Sequence, residues 1–100
     1  MKEFIYVLKL RTDLLSEDAW TDKEEKIVGA HFNRLKRDTE AGKVFLAGRT
    51  LNPDSTQFGI VIFTDESWDS AMKYMQTDPS VQEGIMTATL YPYRIALMKK

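Results

Sequence analysis

The chain contains no cysteine. That excludes disulfide staples, thiolate nucleophiles and thiolate metal ligands together. A secreted domain of this size commonly relies on staples, so their absence points to the reducing cytoplasm. Histidine is nearly absent as well, with one residue, His31. A metal site would therefore have to be built from carboxylates, and the acidic residues show no such grouping. No apolar run approaches the roughly 20 residues of a membrane helix. The opening stretch Phe4-Ile5-Tyr6-Val7 is too short for a signal segment and is soon interrupted by Lys9. Charge of one sign is lacking too: 14 basic against 15 acidic side chains give a formal net charge of −1. Nucleic acid and anionic membrane are thus poor candidates for partners. There is no GxGxxG, no Walker motif, no zinc-type cluster and no GxSxG elbow, so neither a cofactor nor a nucleophilic serine is expected.

What remains is 100 residues, 43% apolar and 29% charged. These figures describe one ordinary globular domain spanning residues 1–100. Such a domain buries only about two-thirds of the surface its unfolded chain exposes, so a partner subunit would help its thin core.

The pattern along the chain predicts a β-α-β-β-α-β order. Residues 3–11 are rich in β-branched and aromatic types and read as a strand. Residues 12–20 read as a loop, although Leu14, Leu15 and Trp20 are greasy for one. Thr21-Asp22-Lys23-Glu24 has the capping-box pattern. A helix should follow to about Ala41, with Val28, Phe32, Leu35 and Thr39 inward, Ile27 and His31 beside them, and Arg34 mostly on the outer side. Gly42 stops it. Residues 43–49 and 59–63 read as a second and third strand forming a hairpin around the Asn52-Pro53-Asp54-Ser55 turn. Trp68, Ala71, Met72 and Met75 mark the core face of a second helix, which Asp78-Pro79 ends. Residues 80–83 make one extra turn closed by Gly84. The last strand should cover about 87–98, with Pro92 implying an edge position or a bulge.

This order is the ferredoxin-like, α+β plan: a four-stranded antiparallel sheet under two helices. Two helices cover one face, yet the strands are apolar on both. Ile5 and Val7 oppose Phe4, Tyr6 and Leu8, and strand three carries Ile60 and Ile62 opposite Val61 and Phe63. A second copy, sheet against sheet, is the expected cover.

Four residues stand out for chemistry. His31 flanks the core and is the usual type of general acid or base, although the spacing alone favours a hydrogen-bonded structural histidine. Asp78 could orient it, or could be an ordinary turn aspartate. Gly48 permits close backbone approach, and Arg49 could hold an anionic group, or the pair could be a strand-end bend with a solvated arginine. Tyr91 and Tyr93 could present hydroxyls to a pocket, but such residues usually pack.

Several segments together resemble the YciI-like family of the dimeric α/β-barrel group. They are His31-Phe32-Asn33-Arg34-Leu35, the run from Gly42 through Val44-Phe45-Leu46-Ala47-Gly48, Asp78-Pro79-Ser80-Val81 with Gly84, and Tyr91-Pro92-Tyr93. The likeness spans roughly residues 4–97 in order. It implies a homodimeric barrel built from two sheets, with a pocket whose His–Asp pair falls on His31 and Asp78. It further implies a cofactor-independent enzyme of lyase or isomerase type acting on a small cyclic or aromatic molecule. Two positions depart from the family pattern: Arg49 stands where proline usually follows Ala-Gly, and Ser80 stands where an aromatic often follows Asp-Pro. A non-catalytic ligand-binding or sensing module and a purely structural dimeric partner are the other readings of the same chain.

Overall fold

In the computed structural model, which describes residues 1–99, the first strand is the centre of the sheet. β1 (Lys2–Leu10) alternates strictly, with Phe4, Tyr6 and Leu8 buried and Ile5 and Val7 only partly so. It pairs antiparallel with β3 (Gly59–Asp65) on one side and β4 (Met86–Pro92) on the other, while β2 (Val44–Arg49) pairs antiparallel with β3. The resulting order, β2-β3-β1-β4, is that of the ferredoxin-like fold. β4 is an edge strand, which is where Pro92 is tolerated.

Between β1 and the first helix the chain makes two short 3-10 turns, Thr12–Leu15 and Glu17–Ala19. Leu14 is buried there, and the Trp20 indole donates to its carbonyl at 2.8 Å. Helix α1 (Asp22–Glu40) begins with the Glu24 carboxylate accepting from the Thr21 N–H at 2.8 Å. It ends at Gly42, whose φ of 86° lets Lys43 N–H reach back to Asp38 O at 2.9 Å. Helix α2 (Trp68–Gln76) is capped by the Ser67 hydroxyl, which accepts from Ser70 N–H at 3.1 Å. The short helix α3 (Pro79–Gln82) starts from Asp78 as N-cap with proline in its first turn.

The core lies between the helices and one face of the sheet: Phe4, Tyr6, Leu8, Val44, Val61 and Phe63 below, Leu35, Ala71, Tyr74 and Met75 above. Leu46, Ile62, Ile5 and Tyr91 run across the opposite face, followed by Gly48, Ile60, Val7 and Thr89. None of these belongs to that cluster, although Ile62 is itself buried. Among the described residues no helix is long and apolar enough to cross a membrane.

Three sequence expectations are corrected. α1 is rotated from the predicted face: Phe32 is 63% exposed and Thr39 is exposed, while Glu24, Leu35 and Asp38 are buried and Arg34 is half-buried. The apolar pattern misled because polar residues occupy part of the inward stripe. Trp68 is 42% exposed, though its ring still packs at 6.2 Å from Phe4. β4 stops at Pro92 rather than continuing to residue 98, since proline donates nothing to a ladder.

Candidate functional site

β1, α1 and the loop joining α2 to α3 each contribute one side chain to a single buried point. Asp78 lies in that loop with no solvent exposure. Pro79 locks the backbone just after it, and the Asp78 side chain caps α3 by accepting from Ser80 N–H at 3.0 Å. The same oxygen, Oδ1, is 2.6 Å from His31 Nδ1 on α1. Its other oxygen, Oδ2, accepts from the Tyr6 hydroxyl of β1 at 2.7 Å. Both oxygens of a buried carboxylate are therefore satisfied, as burial of a charge demands.

The electrostatics follow from these contacts. Burial alone would raise the Asp78 pKa. The hydrogen bond and charge of His31, the Tyr6 hydroxyl and the Ser80 N–H outweigh it and hold the group below the ordinary carboxylate range. Asp78 is thus ionised near neutrality and can only accept. Burial first, then the Asp78 charge and hydrogen bond, push the Tyr6 phenol far above its usual value, so Tyr6 remains a donor. An acceptor-only Asp78 fixes the proton of His31 on Nδ1 and leaves Nε2 with the lone pair in the neutral ring. The His31 side chain keeps 13% of its exposure, so it is sheltered without being sealed.

Beside this centre lies Arg34, one turn along α1 from His31. Its guanidinium sits 4.1 Å above the Tyr74 ring and donates to Thr77 Oγ1 at 2.9 Å. The Tyr74 hydroxyl in turn donates to Asp38 at 2.6 Å. Burial and that bond push the Tyr74 phenol well up.

The structure brings His31 and Asp78 together and leaves Gly48 and Arg49 apart from them. Gly48 belongs to the row of Ile60 and Val7, on the sheet face opposite the core. With Thr50, Phe58 and Ile60, Gly48 and Arg49 line a separate hollow of about 310 Å³. A Cβ at Gly48 would meet nothing within 4 Å; the close approach is instead at Gly59, where a Cβ would lie 3.3 Å from Gly48 O. A second hollow, of about 470 Å³, is lined by residues such as Lys9, Arg11, Ser55 and Gln57. Neither hollow is lined by His31 or Asp78. Tyr91 and Tyr93 are exposed. Among the described residues no three His, Asp or Glu side chains converge on one point.

Tyr6 and Arg34 carry no mark as site residues in the sequence. A signal for Tyr6 did exist: it occupies an inward position of β1, and a buried phenol needs a hydrogen-bond partner.

A ferredoxin-like sheet with a buried carboxylate gripping the one imidazole defines the class: a small α+β protein with a histidine–aspartate pair beneath its first helix. Within that class the chain belongs to the YCII-related domain family, whose model matches residues 4–92. Among solved structures it is similar to 5-chloro-2-hydroxyhydroquinone dehydrochlorinase from Burkholderia phenoliruptrix AC1100, determined in complex with 2,5-dihydroxybenzoquinone. The TM-score is 0.67 at 20% sequence identity, over 92% of this chain and 93% of that one. At that identity the likeness is one of fold. No curated protein sequence matches the chain.

Proposed function

We propose that the chain is a cofactor-independent small-molecule enzyme of lyase or isomerase type, in which His31 moves a proton on a small cyclic or aromatic substrate. The observation that carries this reading is the 2.6 Å contact between His31 Nδ1 and the fully buried, ionised Asp78. With Nδ1–H committed to the carboxylate, Nε2 takes a proton from a substrate C–H or O–H. Asp78 stabilises the imidazolium that forms. The same proton then returns to a different substrate atom in an isomerisation, or leaves with a departing group in an elimination. The structurally similar dehydrochlorinase supports the choice of class, because loss of hydrogen chloride from a hydroxylated ring is a step of this type.

A second part of the proposal is a homodimer. The face bearing Ile5, Val7, Leu46, Ile60, Ile62 and Tyr91 is apolar across all four strands and lies outside the core. A second copy laid against it completes a two-sheet barrel and removes that surface from water. Gly48 and Arg49 line a hollow beside this face, which the partner would cover.

The test is a panel of chlorinated and unchlorinated hydroquinones and phenols incubated with the native protein, with chloride release and ring spectra as readouts. Turnover of at least one ring compound is expected. Saturable binding with no conversion of any member would instead identify a ligand-binding or sensing module.

A further inference from the structure

Two buried side-chain polar atoms have no hydrogen-bond partner among the described residues: Arg34 Nη1 and Ser80 Oγ. Both belong to residues tied to the Asp78 loop. Ser80 donates its N–H to the very oxygen that holds His31. Arg34 binds Thr77, the residue just before Asp78. It also lies three positions from His31 on α1, a spacing that puts the two side chains on one face of the helix.

Arg34 differs from two other cations of the fold, half-buried Lys43 and exposed Arg37. Lys43 has Asp65 at 3.0 Å, and Arg37 has Asp38 at 3.0 Å. Arg34 forms no ion pair with a described residue. Its bonds are to an aromatic face and one neutral hydroxyl. Its charge nevertheless reaches the centre, since it opposes the rise in the pKa of both Tyr6 and Tyr74. A guanidinium held by stacking, with one edge donor unused and sheltered from solvent, is prepared for a planar or single anionic oxygen. Nη1 is thus a buried, unpartnered donor on the residue one turn from His31.

We propose that Arg34 is the anion-binding residue of the His31–Asp78 site, and that the substrate presents an anionic oxygen, carboxylate or phenolate, to Nη1. This rests on the reading of His31 and Asp78 as the reactive pair, and it narrows the substrate class to ionised acids and phenols. Arg34 aligns the ring and stabilises negative charge on its oxygen while His31 handles the proton. Arg49, the arginine singled out in the sequence for such a task, lines a different hollow.

The experiment measures binding of benzoate against benzamide, and of para-nitrophenolate against para-nitroanisole, by calorimetry and by shifts of the His31 ring protons in NMR. The two arms separate a carboxylate site from a phenolate site. In the native protein at least one anion should bind about tenfold or more tightly than its neutral analogue, with the His31 resonances moving. Arg34→Gln should abolish that preference, Arg34→Lys should retain part of it, and Arg49→Ala should leave it intact. Equal affinity for anion and neutral analogue in the native protein overturns the proposal, as does absence of binding, which leaves an internal water as the occupant. A preference that follows Arg49 rather than Arg34 overturns it too. The native comparison decides even if Arg34→Gln fails to fold. Failure of the underlying reading looks different: the anion preference then follows Arg34 while His31→Asn leaves turnover unchanged.

Discussion

Asp78 does two things at once, and its replacement should separate them. Asp78→Asn keeps the size of the side chain but removes the charge, and should cost about 1–3 kcal/mol of stability at neutral pH. The cost should depend on pH. The folded protein holds Asp78 below the ordinary carboxylate value of about 4, so its stabilisation is fully present above that value. It disappears as the pH falls through the lower, folded-state value. The gap in melting temperature between native protein and Asp78→Asn should therefore be wide near pH 7 and close in acid; a gap that stays constant across that range contradicts the assignment. Tyr6→Phe removes the donor to Oδ2 and should also lower the melting temperature, by about 1–3 kcal/mol equivalent. His31 and Asp78 were legible in the sequence because one is the lone imidazole and the other precedes a proline in a family-like segment. Tyr6 was not, because its inward position in β1 called for a hydrogen-bond partner without naming one 72 positions away. Arg34 was read as a surface charge, yet a guanidinium can lie flat on an aromatic ring and cover it.

At the level of elements, the sequence predicted the order and type of every main strand and helix, while faces and ends were less legible. The error over α1 has a definite cause. The inward stripe includes Glu24, His31, Arg34 and Asp38, each with a specific polar partner, so the apolar pattern alone points to Phe32. The consequence is measurable: Leu35→Ala should cost about 2–5 kcal/mol, whereas Phe32→Ser should stay within about 0.5 kcal/mol. Comparable losses from both would restore the first orientation. β2 and β3 meet closely at Gly59, where an added Cβ lies 3.3 Å from Gly48 O and 3.7 Å from Leu8. Gly59→Ala should therefore lower the melting temperature, while Gly48→Ala, with open space above it, should not lower it through any such clash.

For the whole molecule, the ferredoxin-like plan was legible because apolar runs, caps and turn residues agree with one another along the chain. The apolar second face of the sheet was legible too, since Ile5, Val7, Ile60 and Ile62 alternate with the core residues. What covers it is the proposal tested by sedimentation: the native chain should run at twice its 11.6 kDa mass, and Val7→Asp should shift it toward a monomer. The interface should exceed about 1,200 Å². Chemistry at His31 is the central claim, and solvent-deuterium incorporation into a hydroxylated aromatic ring, followed by proton NMR, tests it most directly. The native protein should label a ring position about 10²-fold or more faster than His31→Asn, with both proteins folded at the temperature of measurement. Equal labelling by the two folded proteins, or none above the protein-free rate in either, would contradict a proton-transfer role for His31.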